Sequence, residues 1–260
     1  MLKRFINDMK KYFQYSIVAA RASLKAEVAG SYLNWIWWIL EPVCFMLIYT
    51  FIFGYVFKSR EQYFPIFVYI GLCMWQFFER TIKQSILLVK RNKSVVTKVY
   101  IPKFILILIR IWVNGFKMLI SFAIVIALML VYRVPLSWNV LYSIPIMLTM
   151  CLFTFGCATF LMHFGVYVAD LSNVVNIAMK FFFYLAGIFY NVETKIEKYG
   201  ELLCKVNPVA FLITSLRQSL IYTMTPGRKL LILWFLISFV ISVLGIRKIY
   251  KNENSYVKMI

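Results

Sequence analysis

The chain is poor in the residues from which most active sites are built. Its only histidine is His163, and only 10 of its 260 residues are acidic. A single imidazole makes a histidine-based metal site or catalytic dyad a weak reading, because several carboxylate or thiolate companions would be needed beside it. The five cysteines, Cys44, Cys73, Cys151, Cys157 and Cys204, are odd in number and mostly lie inside apolar runs without ligand-like spacing. They read as small apolar residues and support neither a zinc site nor a disulfide framework. The ten glycines are scattered, and Gly227, Arg228 and Lys229 lack the upstream glycine of a G-x-x-x-x-G-K-[ST] phosphate loop, so ATP is not bound by that route. G-x-S-x-G and H-E-x-x-H are missing as well, so neither a serine-hydrolase elbow nor a zinc-protease site is encoded. Met1 to Arg21 is polar and basic without a short apolar core, and no cleavable signal peptide is expected.

What is present is apolar: 62% of residues are hydrophobic, 18% aromatic and 15% charged, with a mean hydropathy of +0.78. Soluble chains average roughly 45–50% apolar and about 25% charged residues, so the expected solvent is a bilayer. Runs long enough to cross it, about 20 residues each, number about six. They extend from about Trp35 to Phe57, Phe64 to Leu88, Phe104 to Tyr132, Val140 to Val168, Val174 to Tyr190 and Leu230 to Ile249. The expected fold is therefore an all-α integral membrane protein, a single transmembrane domain over residues 1–260. An even number of spans places both termini on one side.

The 29 lysines and arginines give a net charge of +19. They gather on one set of loops: Lys3, Arg4, Lys10, Lys11, Arg21 and Lys25, then Lys90, Arg91, Lys93, Lys98 and Lys103, then Arg247, Lys248, Lys251 and Lys258. The positive-inside rule makes that side the cytoplasm of a multi-pass cytoplasmic-membrane protein. On the opposite side Lys58, Arg60 and Arg133 sit on short connections, and Glu193, Glu197 and Glu201 offset the lysines of the longest one. A charge spread over every cytoplasmic loop, with no basic stripe interleaved with aromatics, argues against nucleic acid as partner.

Three segments are more than spans. Residues 1–33 form a cytoplasmic interface segment whose first half carries Leu2, Phe5, Ile6, Met9, Phe13 and Ile17 at helical spacing, opposite Lys3, Asp8, Lys10 and Lys11. The pattern predicts an amphipathic helix, which serves equally as a membrane anchor or a docking element. Residues 89–103 form a basic cytoplasmic loop stopped at Pro102. Residues 191–229 are too polar for a plain span; Asn207 as N-cap and Pro208 in the first turn predict a helix carrying Arg217, re-entrant if it is buried in protein or beside water. Within the spans, Glu41, Glu79, Arg110, Lys117 and Lys180 are among the charged residues, expected near the interface or facing an interior. Too few of them stack along one path for a proton relay.

Aromatics are the positive signal. Trp38, Phe45 and Tyr49 on the first span, close to one helical face with Phe53, join Phe182, Phe189 and Tyr190 on the fifth as candidates to line a path for sugar rings, whose C–H faces pack on aromatic faces. Packing between helices and lipid is the competing reading.

These residues bring a family into view: nearly the whole chain resembles the permease subunit of type-2 ABC exporters of polysaccharides such as O-antigen, capsule and teichoic acid. Lys25, Ser31, Leu33, Trp37 and Pro42 look like the family's lead into its first span, although Glu27, Val28 and Asn34 stand where it usually has Arg-Tyr and then Gly. Gly71, Trp75 and Phe78 are similar to its second-span signature, and Lys98, Val99, Tyr100, Pro102 and Lys103 to its loop before the third span. Asp170 follows Ala169 where the family often carries Arg-Asp, and the segment with Asn207, Pro208 and Arg217 resembles its outer gate helices.

The resemblance implies a homodimer of permeases, each bound to a separate ATPase subunit that holds ATP and magnesium, with no cofactor in this chain and no catalytic residues. The cargo would be a lipid-linked glycan. Lys90, Arg91, Lys93, Lys98, Tyr100, Pro102 and Asp170 are then expected to face the ATPase. Arg21 and Lys25 would meet the carrier's phosphate or serve only as ordinary positive-inside residues, and Asn207, Pro208 and Arg217 would belong to the gate, with Arg217 paired to a glutamate such as Glu193 or facing exit water. A permease for a drug or lipid, or a membrane enzyme or scaffold without transport, remains the alternative.

Overall fold

The computed structural model describes residues 2–29, 33–59, 61–168, 170–192 and 199–259, and every regular element among them is helical. In chain order these are α1 (Leu2–Ala29), α2 (Asn34–Tyr49) continued by a π-helix (Thr50–Val56), α3 (Phe64–Ile86), two single turns α4 (Leu88–Arg91) and α5 (Lys93–Val96), and α6 (Lys103–Val131). A 3₁₀ turn (Trp138–Tyr142) then leads into α7 (Ser143–Tyr167), followed by α8 (Leu171–Leu185), α9 (Gly200–Val206), α10 (Pro208–Leu220) and α11 (Arg228–Met259).

Four of these segments are long and apolar enough to cross a membrane: Asn34–Val56, Lys103–Val131, Trp138–Tyr167 and Arg228–Tyr256. The other two expected spans differ in kind. α3 has 23 residues but carries Glu79, Arg80 and Lys83. α8 has 15 residues, which at 1.5 Å each rise about 22 Å, less than the hydrocarbon thickness.

α3 is the axle of the fold. It packs on α2, α6, α7, α8 and α10, with Phe67, Tyr69, Ile70, Met74, Trp75, Ile82 and Ile86 hidden almost completely and Gln76, Glu79, Arg80 and Lys83 half-buried. Several of its polar groups are satisfied inside the bundle, though the Tyr69 hydroxyl has no partner among the described residues. Thr81 and Ser85 donate to carbonyls of their own helix, and Asn114 of α6 donates to Thr81 Oγ1 at 3.0 Å and Gln84 Oε1 at 3.2 Å. Several span charges pair as well: Arg80 with Glu41 at 2.8 Å, Lys83 with Glu79 at 2.5 Å, and Lys117 with Glu27. Glu27 is thus the counter-charge of a lysine within α6.

α7 and α11 pack closely through small residues, Gly156 and Thr159 against Ser242 and Gly245, as helices do in lipid where close backbone approach replaces the hydrophobic drive. Near their ends His163 Nδ1 and Tyr256 OH lie 2.7 Å apart and buried, so the lone histidine ties two helices together. α1 lies along α6, with Phe5 5.3 Å from Phe104 and Phe13 edge-on to Trp112.

At one end of the bundle the start of α1, the loop before α6 and the end of α11 are sewn together. Arg4 pairs with Glu253 at 2.5 Å, donates to Tyr100 OH at 2.6 Å and lies over the ring of Tyr250, whose hydroxyl donates to Asp8. Tyr12 donates to the Tyr100 carbonyl. Burial raises the Tyr100 phenol above its ordinary value, against the lowering pull of Arg4, so the group stays protonated and donates to Glu253. The opposite end is closed by Tyr222 donating to Glu61 and Asn139 donating to the Thr223 carbonyl.

Candidate functional site

Four of the six expected channel aromatics come together. Phe45 stacks on Tyr49, and Tyr49 lies 5.6 Å from Phe189, which in turn is 5.6 Å from Tyr190. Phe53 stacks on Phe189 at 4.3 Å with planes 9° apart, the tightest ring pair among the described residues. Phe183 joins the cluster to Trp75 of α3. Tyr190 OH donates to the Tyr184 carbonyl. The remaining two go elsewhere. Trp38 meets α6, edge-on to Phe116 with the Lys117 ammonium over its ring, and Phe182 is exposed, touching Phe181. Phe53, Phe183 and Trp75 are aromatics of this cluster that the sequence-based channel set left out; Phe53 shares the face of Phe45 and Tyr49, so its spacing carried the signal. Around the cluster, α2, its π-helical continuation and α8 present Trp35, Trp37, Phe51, Tyr55 and Phe181 to the outside.

The cluster is held from behind by Arg217. Asn207 caps α10 by accepting from the Val209 and Ala210 amides, and Pro208 occupies the first turn, where its missing N–H costs nothing. The helix carries Arg217 into the bundle, 2% exposed. There Nε donates to the Phe67 carbonyl at 3.0 Å, Nη1 to Gly187 at 2.7 Å and Nη2 to Ile188 at 2.6 Å, while the guanidinium lies 3.5 Å from the centre of the Phe67 ring. Main-chain carbonyls of α3 and of the 187–188 turn thus hold three of its five N–H groups, because a buried guanidinium needs acceptors wherever it finds them. Glu193, the expected partner, lies outside the described residues.

Two glycines make this clasp. A methyl group at Gly71 would sit 2.5 Å from Arg217 Nη2 and 3.2 Å from the Ile188 carbonyl oxygen. Gly187 has φ +65°, a left-handed turn residue that offers its carbonyl to Arg217 and sends the chain on to Phe189. Gly71 of the second-span signature is thus the space that Arg217 needs.

The expected partner-facing residues lie at the sewn end. Arg91, Lys93, Lys98, Val99 and Tyr100 are exposed and Lys90 is half-buried, whereas Pro102 and Lys103 are buried, with Lys103 Nζ donating to the Ile101 carbonyl. Asp170 precedes α8, exposed, and Ala169 lies outside the described residues. Arg21 and Lys25 are exposed one helical turn apart on α1. The cluster of Arg4, Asp8, Tyr250 and Glu253 was not foreseen; two of the chain's few acids, Asp8 and Glu253, standing inside basic stretches, were the signal. Among the described residues no group of three or more His, Cys, Asp or Glu side chains could hold a metal ion.

The family model for the ABC-2 type transporter matches residues 15–221. The chain belongs to this family. It is a permease, a transporter subunit and not an enzyme, and family membership implies an ABC ATPase partner and a permease homodimer. Similar proteins include the O-antigen export system permease protein RfbA of Klebsiella pneumoniae, 26% identical over 251 residues and 95% of each chain. A protein of the same description from Myxococcus xanthus is 25% identical over 213 residues, 82% of each chain. The matched region of this ABC-2 permease spans the whole aromatic cluster and the Arg217 clasp, and stops at the end of α10.

Proposed function

We propose that the chain is the transmembrane subunit of an ATP-driven exporter that carries a lipid-linked polysaccharide from the cytoplasm outward between two permease copies. The observation that carries this reading is the continuous aromatic run Phe45–Tyr49–Phe189–Tyr190, in a bundle whose relatives are O-antigen export permeases. Aromatic faces contact successive sugar rings without fixing any one of them by hydrogen bonds, so each step is weakly held and readily released. Trp38 would seal α2 against α6, and Phe182 would face the second copy or lipid.

In this reading α3 and α8 complete a six-span topology with both termini in the cytoplasm, as the placement of lysine and arginine supports. The sewn end, with Lys90, Arg91, Lys93, Lys98, Tyr100, Pro102 and Asp170, would receive the ATPase subunit, which supplies ATP and magnesium. Arg21 and Lys25 would meet the phosphate of the lipid carrier, and α9 and α10 would form a re-entrant gate at the outer end.

The test replaces Phe45 and Tyr49 together by alanine in the permease–ATPase complex. Polysaccharide export falls several-fold, with dimer assembly and ATPase co-purification unchanged. Normal export by that variant would sink the channel reading.

A further inference from the structure

At the end of the bundle remote from the 88–103 loop, a cavity of about 390 Å³ opens between α9, α10 and the start of α11. Lys205, Arg228 and Lys229 line it. The electrostatics of this corner are one-sided. Arg228 and Lys229 are the first two residues of a 32-residue helix with no acid in its first turn. A helix N-terminus already carries unpaired N–H groups and positive potential, which favours acids there and opposes cations. Glu201, the one acid on the wall, is exposed and pairs with Lys205 at 2.6 Å. Glu61 accepts from Tyr222 and is not on the wall of this cavity, so it does not redress the balance.

A second observation comes from α10. Ser215 lines the same cavity, is 1% exposed, and its Oγ has no hydrogen-bond partner among the described residues. A buried hydroxyl left unpaired is unfavourable, and a native one asks for an occupant.

We propose that this cavity binds a phosphate-type oxyanion. The first-turn amides of α11 and the Ser215 hydroxyl donate to it, Arg228 grips it bidentately, and Lys229 and Lys205 act as point charges. The oxyanion is carried either by a membrane-lipid headgroup or by a molecule from the water phase or the cargo; the chemistry of recognition is the same. Thr214 and Gln218, which flank the cavity, lie on the helix that holds Arg217, so an occupant braces the element behind the aromatic cluster. The inference goes beyond the exporter reading, and its test measures binding, so either can fail alone.

The full-length permease is placed in nanodiscs of phosphatidylcholine and titrated calorimetrically with inorganic pyrophosphate. Saturable binding is expected, weakened by salt, and reduced about tenfold or more in the Arg228→Gln/Lys229→Gln variant, whose exposed positions leave folding intact. Ser215→Ala, a smaller change, weakens it several-fold. A second arm adds phosphatidylglycerol to the nanodiscs. If that lipid displaces pyrophosphate, and native mass spectrometry finds it retained by the wild type and lost from the double variant, the oxyanion is a lipid headgroup. If pyrophosphate binding is indifferent to it, the oxyanion comes from the water phase or the cargo. No saturable binding in phosphatidylcholine, or equal binding by wild type and both variants, overturns the site.

Discussion

α2 and α3 are neighbours that invert the rule of soluble proteins. α2 has a single ionisable residue before its π-turn besides Cys44 and Tyr49, Glu41, together with a nearly unbroken apolar run, yet only Pro42 and Met46 of it are buried. α3 carries Glu79, Arg80 and Lys83 and is nonetheless mostly buried. In lipid, apolar surface gains nothing by turning inward, so burial goes to the helix that packs closely and pairs its polar groups. Hydropathy marks what can face lipid; it does not mark the core.

The largest break in this comparison comes from removing the clasp on α3. Arg217→Ala strips the acceptors at Phe67, Gly187 and Ile188 of their donors and leaves a void against the Phe67 ring, a loss of about 3 kcal/mol. Thermal unfolding of the purified permease in micelles checks it, with a large drop in midpoint expected and an unchanged midpoint refuting the clasp. Gly71→Ala comes next, at about 1–3 kcal/mol, because the new methyl group meets the guanidinium. The sharper form is a double-mutant cycle: in an Arg217→Met background the cost of Gly71→Ala shrinks, whereas additivity would mean that the methyl group clashes with the Ile188 main chain alone. The smallest effect belongs to α2. Leu47→Ala or Ile48→Ala, both exposed, changes the stability of the isolated chain by less than about 0.5 kcal/mol. The same substitutions measured by dimer dissociation report directly whether a second copy covers that face.

The spans of α2, α6, α7 and α11 could be read from hydropathy because lipid imposes length and composition locally. The cap at Asn207 and the proline after it were equally legible, since a cap is decided within a few residues. Trp38 shows where that reading stops. It shares a helical face with Phe45 and Tyr49, but the neighbour of that face changes along the axis, from α6 at Trp38 to the 183–189 region further on. Phe182 and Phe189 part company for a related reason: α8 ends at Leu185, and the turn at Gly187 redirects the chain beyond it. Arg217 was legible as a costly charge but its partners were not, because main-chain carbonyls leave no mark in the side-chain sequence.

The clasp also sets an order on biogenesis. Phe67 and Arg217 are separated by 150 residues. When α3 leaves the ribosome, the niche beside Gly71 is open, and it stays open while α6, α7 and α8 are made. Its occupant arrives only when α10 is synthesised. A nascent permease interrupted before α10 therefore holds its central helix without the guanidinium that bridges Phe67 to the 187–188 turn.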